Sequence, residues 1–203
     1  MDWPADTRPT SIAEVLCHIA EYARSPRSIG AIIPSSRALA RTMTESVPRL
    51  GDRDLIIELG SGTGAITSAI VAAWPRHKVI AVEKNPRLAA RLRQRFPRID
   101  VAETCVSHIA TELEIPKGYR VGAVLSSLPM VSFDAALRRR VFHAICDVLD
   151  PRAVFVQFTY SPSAWDGFAP EGLTLVDTKR VMLNVPPATI LSFQRRHKLA
   201  AVR

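Results

Sequence analysis

Glu58, three closely spaced glycines and a second acid at Glu83 are the residues of this sequence whose types and spacing speak most directly of chemistry. In DLIIELGSGTGAIT, Asp54 to Thr67, an apolar run ends at Glu58 and leads into Gly60, Gly62 and Gly64. Glycines lack the β-carbon that would block a tight turn or a close approach to a ligand, and the helix that must follow offers its amide-rich N-terminus. This is a cradle of the nucleotide-binding type. Spacing alone leaves the ligand open, because Gly60, Gly62 and Ala65 also satisfy a dinucleotide fingerprint. The acids narrow it. Glu58, just ahead of the first glycine, is placed to face a cationic ligand, and Glu83 in VIAVEKNP stands at the tip of the next apolar run, placed to accept from ribose hydroxyls.

Elements able to hold these groups follow from the hydrophobic runs. Strands are expected at about Leu55 to Leu59, Val79 to Glu83, Ile99 to Glu103, Val121 to Ser126 and Ala153 to Tyr160. Helical patterns fall between them: Thr63 to Ala73, a helix opened by Asn85 and Pro86 that carries Leu88, Leu92 and Phe96, and Asp134 to Leu149 with Leu137, Val141, Ile145 and Val148. Strands alternating with helices imply a parallel, doubly wound sheet whose ligands sit at the carboxyl ends of the strands. Leu173 to Met182 and Ala188 to Arg195 then read as a closing antiparallel hairpin, because the link through Asn184 is too short for a helix. Near the start, Ser11 and Glu14 make a capping box, and Ile12, Val15, Leu16, Ile19 and Ala23 form a helical stripe. Residues 1–48 are expected to form an N-terminal lid, and residues 49–203 the catalytic domain.

ELGSGTG followed by AVEKNP resembles the S-adenosylmethionine site of class I methyltransferases, an α/β Rossmann-like fold of seven strands ending in an antiparallel hairpin. The resemblance implies that Gly60, Ser61, Gly62 and Gly64 line the methionine end of the cofactor and that Glu83 binds its ribose. Ile33, Ser35, Ser36, Glu58, Lys84, Ser126 and, toward the adenine, Glu103, Thr104 and Cys105 are the further cofactor candidates. S-adenosylhomocysteine would be the product.

VLSSLPMVSFD, after the fourth strand, should decide the substrate. Enzymes that methylate base amines usually place Asn or Asp here, then a proline turn, then an aromatic ring for stacking. Ser126, Ser127, Leu128, Pro129 and Met130 keep the proline but lose the amide and the ring. GAIIPSSRALARTM upstream, SSLP, QFTYSP at the fifth strand and NVPPA in the hairpin together resemble the bacterial phospholipid N-methyltransferases that act on phosphatidylethanolamine. That resemblance runs from about Tyr22 to Phe193. It implies successive methylation of the ethanolamine headgroup toward choline by a protein lying on the cytoplasmic face of the inner membrane. In this reading Ile29, Ile32 and Ile33 form an apolar lip over the cofactor end, and Ser35 or Ser36 caps the next helix. Leu128, Pro129, Met130 and Asn184 meet the lipid. Tyr22, Tyr160, Ser127 and Glu58 are the catalytic candidates: the tyrosines orient the headgroup, and Glu58 accepts a proton or pairs with a cation.

Charge fits an anionic partner. Lysine and arginine number 27 against 19 acids, a formal charge of +8, which favours lipid headgroups or nucleic acid. Cys17, Cys105 and Cys146 have no zinc-like or redox spacing, so reduced thiols and no metal are expected. No stretch approaches the ~20 apolar residues that span a bilayer. A monomer with a phospholipid substrate, an anionic membrane surface as partner and no nucleic acid is the expectation. The competing readings are an ornithine-lipid N-methyltransferase, an rRNA adenine N6-methyltransferase and a non-catalytic membrane or nucleic-acid adaptor.

Overall fold

The computed structural model describes residues 34–165, 170–184 and 186–196. In chain order these form α1 (Pro34–Glu45), β1 (Asp54–Leu59), α2 (Ala65–Ala73), β2 (Val79–Val82), α3 (Pro86–Arg95), β3 (Asp100–Ala102), the short α4 (Ile109–Glu112), β4 (Arg120–Ser126), α5 (Ala135–Val148), β5 (Leu149–Thr159), β6 (Leu173–Val181) and β7 (Ala188–Arg195). The strands make one seven-stranded sheet in the order β3-β2-β1-β4-β5-β7-β6. β1 is parallel to β2 and β4, and β4 to β5, whereas β7 runs antiparallel to both β5 and β6. The alternating grammar and the closing hairpin expected from the hydrophobic runs are both present.

Side-chain parity divides the core between the two faces. Leu55, Ile57 and Leu59 of β1 pack with Val141, Phe142 and Ile145 of α5. Ile56 packs on the other face with Ile66 and Ile70 of α2 and with Leu39, Ala40 and Met43 of α1. α1, which the sequence groups with the N-terminal segment, therefore covers the sheet. Alternation along β1 places Glu58 on the same face as Ile56, beneath α2. On the strand beyond, Phe158 and Tyr160 pack against that face too, while Gln157 has the opposite parity.

Several element ends differ from expectation for identifiable reasons. α2 starts at Ala65 because Gly64 adopts φ +84°, outside the helix. α1 spans Pro34–Glu45, so Ser35 and Ser36 fall inside the helix rather than ahead of it. Leu149 already pairs with Val121, and the register then jumps so that Val154 faces Ala123. β5 therefore starts at Leu149 rather than at Ala153, with a register irregularity in its first residues. Asn85 and Asp134 cap α3 and α5 by accepting from first-turn amides.

Gly60, Gly62 and Gly64 all take positive φ, at +74°, +54° and +84°, where an L side chain is strained by roughly 1–2 kcal/mol. Their surroundings separate them. A β-carbon on Gly64 would lie 2.6 Å from Phe96, and one on Gly60 2.8 Å from Leu128, whereas one on Gly62 would meet nothing nearer than a backbone oxygen at 3.8 Å. Gly64→Ala is expected to destabilise the fold by about 2–4 kcal/mol, strain plus overpacking. Gly62→Ala should cost only the strain while still impairing cofactor binding. Thermal unfolding of the two variants checks the order, and equal losses would contradict it.

Candidate functional site

β1 and β4 lie side by side at the centre of the sheet, and the chain leaves them toward opposite edges, which opens a crevice at their carboxyl ends. Leu59 of β1 stands beside Ser126 of β4. The glycine turn begins there. Gly60 and Ser61 donate their amides to Val82 O, and Gly64 donates back to Ser61 O. Ser127 donates its hydroxyl to Gly60 O at 2.6 Å, which ties the loop after β4 to the turn. Ser126 Oγ accepts from the Leu128 amide at 3.2 Å. Ser127, a catalytic candidate in the sequence, has its proton engaged in holding the turn.

Glu83 bridges two loops. Its Oε2 accepts from the Gly62 amide at 2.9 Å and its Oε1 from the Asn85 amide at 2.8 Å. Each carboxylate oxygen keeps a second lone pair, so hydroxyl donors can still be received. Neither Lys84 nor Arg87 pairs with it among the described residues; Lys84 is exposed.

Glu58 is almost wholly buried, at 1% exposure. Its Oε2 accepts from Thr67 Oγ1 at 2.6 Å, but its Oε1 has no hydrogen-bond partner. Burial pushes its carboxyl up to about 7, against the opposing hydrogen bond from Thr67. Ser61 stands close enough to favour the anion, yet its hydroxyl is also buried without a formed hydrogen bond. A buried acceptor and a buried hydroxyl left open beside a glycine with free space above its α-carbon form a polar cradle that waits for a ligand. S-adenosylmethionine fits this donor and acceptor set. Its cationic amino-acid end suits Glu58 and Ser61, Gly62 permits close approach, and the ribose hydroxyls suit Glu83.

The adenine candidates are less gathered. Glu103 is exposed and paired with Arg93 at 3.3 Å. Thr104 donates to Glu112, and Cys105 Sγ lies 3.2 Å from Ser107 Oγ. Of the expected lipid contacts, Met130 is fully buried in the core with Val141 and Phe142, because the short turn it opens folds inward; it is a packing residue. Leu128 and Pro129 remain half-buried at the edge. Asn184 is 3% exposed and donates its amide to Pro186 O at 2.7 Å and to Tyr160 OH at 3.3 Å. It thus braces the hairpin and fixes Tyr160, whose ring meets Phe158 edge-on at 5.5 Å. Tyr22, Ile29, Ile32 and Ile33 lie outside the described residues.

Two residues of the site escaped sequence reasoning. Thr67 is the partner of Glu58. Gln157 is 1% exposed and donates to Leu128 O at 3.0 Å and to Phe158 O at 2.6 Å, so it holds the loop after β4 in place. A signal existed: Gln157 is the lone polar residue in the apolar run AVFVQF.

The raised carboxyl of Glu58 makes stability depend on pH. Below about pH 4.5 the group is protonated folded and unfolded; between there and about 7 the unfolded chain has released the proton and the folded one retains it. Stability therefore falls as pH rises through this window, by up to roughly 3 kcal/mol. Glu58→Gln removes that loss. Without cofactor, its melting temperature relative to the parent should rise from pH 5 to pH 8, and parallel profiles would count against the ionisation.

Comparison with known proteins accords with this geometry. Residues 56–152 match the methyltransferase-domain family. An ornithine lipid N-methyltransferase of Singulisphaera acidiphila is 32% identical over 174 residues, 84% of this chain and 90% of the relative. A ribosomal RNA small subunit methyltransferase A of Chlorobium limicola is 34% identical over 92 residues, 44% of this chain and 34% of that protein. Among solved structures, the glycopeptide N-methyltransferase MtfA complexed with S-adenosylmethionine superposes with a TM-score of 0.64 at 12% identity, covering 85% of this chain and 99% of MtfA. A glycine cradle at the switch point of this sheet, with the reach of the first similarity, places the chain in the class I S-adenosylmethionine-dependent methyltransferases, in the family of that ornithine lipid N-methyltransferase.

Proposed function

We propose that this protein transfers methyl groups from S-adenosylmethionine to the primary amine of a membrane lipid, phosphatidylethanolamine foremost, carrying the headgroup toward its choline form. The observation that carries this reading is the span of the lipid-methyltransferase similarity. It takes in 84% of the chain, more than the cradle alone requires, whereas the ribosomal RNA methyltransferase similarity takes in 44%. The loop after β4 supports it, since Leu128 stands against Gly60 and SSLPM offers no ring on which a base would stack.

S-adenosylmethionine, when bound, supplies an electrophilic methyl on a sulfonium. The protein must then present a neutral amine to it. A lipid ammonium resembles lysine, with a reference pKa of ~10.4, and desolvation at the crevice disfavours its charged form. The Tyr160 ring, oriented by Asn184, offers a face to the methylated cation. Glu58 serves as the acidic partner of the cofactor's cationic end; its enclosed position beneath α2 suits that role better than proton removal from a lipid. The protein works peripherally at the cytoplasmic face of the inner membrane, and among the described residues no helix is long and apolar enough to cross a bilayer.

A second reading, methylation of an ornithine lipid, is favoured by the identity to the Singulisphaera enzyme. Purified protein and methyl-labelled cofactor are offered vesicles holding each lipid and, in parallel, ribosomal RNA; thin-layer chromatography separates the labelled lipids, and the RNA is counted directly. Label in mono- and dimethyl phosphatidylethanolamine is expected. Label confined to ornithine lipid would select the second reading, and label confined to ribosomal RNA would overturn both. Tyr160→Ala is expected to lower kcat/KM on the lipid about tenfold, in line with loss of a desolvated cation–π contact, while Tyr160→Phe retains most activity.

A further inference from the structure

Met182 and Leu183, at the tip of the β6–β7 hairpin, are 64% and 79% exposed, the most open large apolar side chains among the described residues. Topology fixes where this tip stands. Val181 pairs with Ala188, and Thr189 pairs with Thr159 at the end of β5. The tip is therefore at the carboxyl edge of the sheet, the edge that carries the glycine turn and the loop after β4. It is also braced. Asn184, buried beneath it, bonds Pro186 O and Tyr160 OH, so the apolar pair is tied to a wall of the crevice.

The same edge carries exposed cations. In a parallel sheet the loop after a strand and the first turns of the next helix lie at the carboxyl end. Lys84 and Arg87 follow β2, Arg139 and Arg140 follow β4, and Arg180 precedes the tip; all are exposed. Arg87, in the first turn of α3, opposes that helix's dipole, and neither α3 nor α5 carries an acid in its first turn. The nearby acids are engaged: Glu83 points to Gly62 and Asn85, and Asp134 caps α5. Two protruding apolar side chains are too few for a stable protein interface, which needs about 800 Å² per partner, but they suit the boundary of headgroups and acyl chains beneath a positive rim.

We propose that Met182 and Leu183 insert into an anionic bilayer and dock the crevice on its substrate. The proposal rests on the lipid-methyltransferase reading and names its docking surface. The test uses the full chain and vesicles of phosphatidylethanolamine with phosphatidylglycerol. The double variant Met182→Ser/Leu183→Ser is expected to sediment with vesicles at least tenfold more weakly than the parent. It should still turn over dihexanoyl phosphatidylethanolamine, a monomeric substrate, at the parent rate. Leu175→Ser, also exposed on β6 but away from the tip, should bind as the parent does. Leu183→Trp should show a blue-shifted emission with anionic vesicles. Unchanged vesicle binding by the double variant would overturn the proposal, as would loss of self-association with vesicle binding intact, which would assign the tip to a second copy of the chain. Binding is read without turnover, so a parent protein that binds through the tip but methylates no lipid would sink the functional reading and leave the docking surface standing.

Discussion

The Glu83 carboxylate joins two turns that would otherwise be independent. One oxygen holds the Gly62 amide and the other the Asn85 amide, so the glycine turn after β1 and the helix start after β2 become one rigid unit. Charge-assisted hydrogen bonds of this kind are among the stronger ones available to a backbone. The positive φ of Gly62 is sustained by that contact, and the open space above Gly62 exists because the turn is held from the Glu83 side. Ser127 fastens the same turn from the β4 side through Gly60 O. A cradle gripped from both neighbouring strands can receive a ligand without reorganising, which is the condition for tight and oriented binding.

Beneath this unit lies an interaction of the opposite kind. Glu58 is buried with one oxygen open, and burial raises its carboxyl toward neutrality. Thr67 offsets only part of the penalty. A cationic ligand placed at the open oxygen would relieve that cost, because a buried carboxylate is less penalised beside an opposite charge.

The other wall of the crevice is built by different means. Gln157 holds Leu128 O, Asn184 holds Tyr160, and Met130 anchors the loop after β4 in the core. These contacts position a wall of leucine, proline and tyrosine at the carboxyl edge. The loop after β4 itself, SSLPM, brings no ring to that wall, and the exposed apolar tip of the hairpin stands at the same edge of the sheet.

Much of this was legible in the sequence. Short apolar runs and period-3.6 patterns located all seven strands and the main helices, and ELGSGTG with AVEKNP located the cradle, because a tight turn between a buried strand and a helix demands glycine whatever surrounds it. What the tertiary structure decided were the pairings across long sequence separations. That Thr67 rather than an ion partner meets Glu58, that Glu83 faces Gly62 rather than Lys84, that Ser127 secures Gly60, and that Met130 turns inward all depend on strand order and register. Those bring residues as far apart as Gly60 and Ser127 within hydrogen-bond reach. Local patterns encode which face of an element is apolar; they carry no information on which polar groups a neighbouring strand delivers to that face.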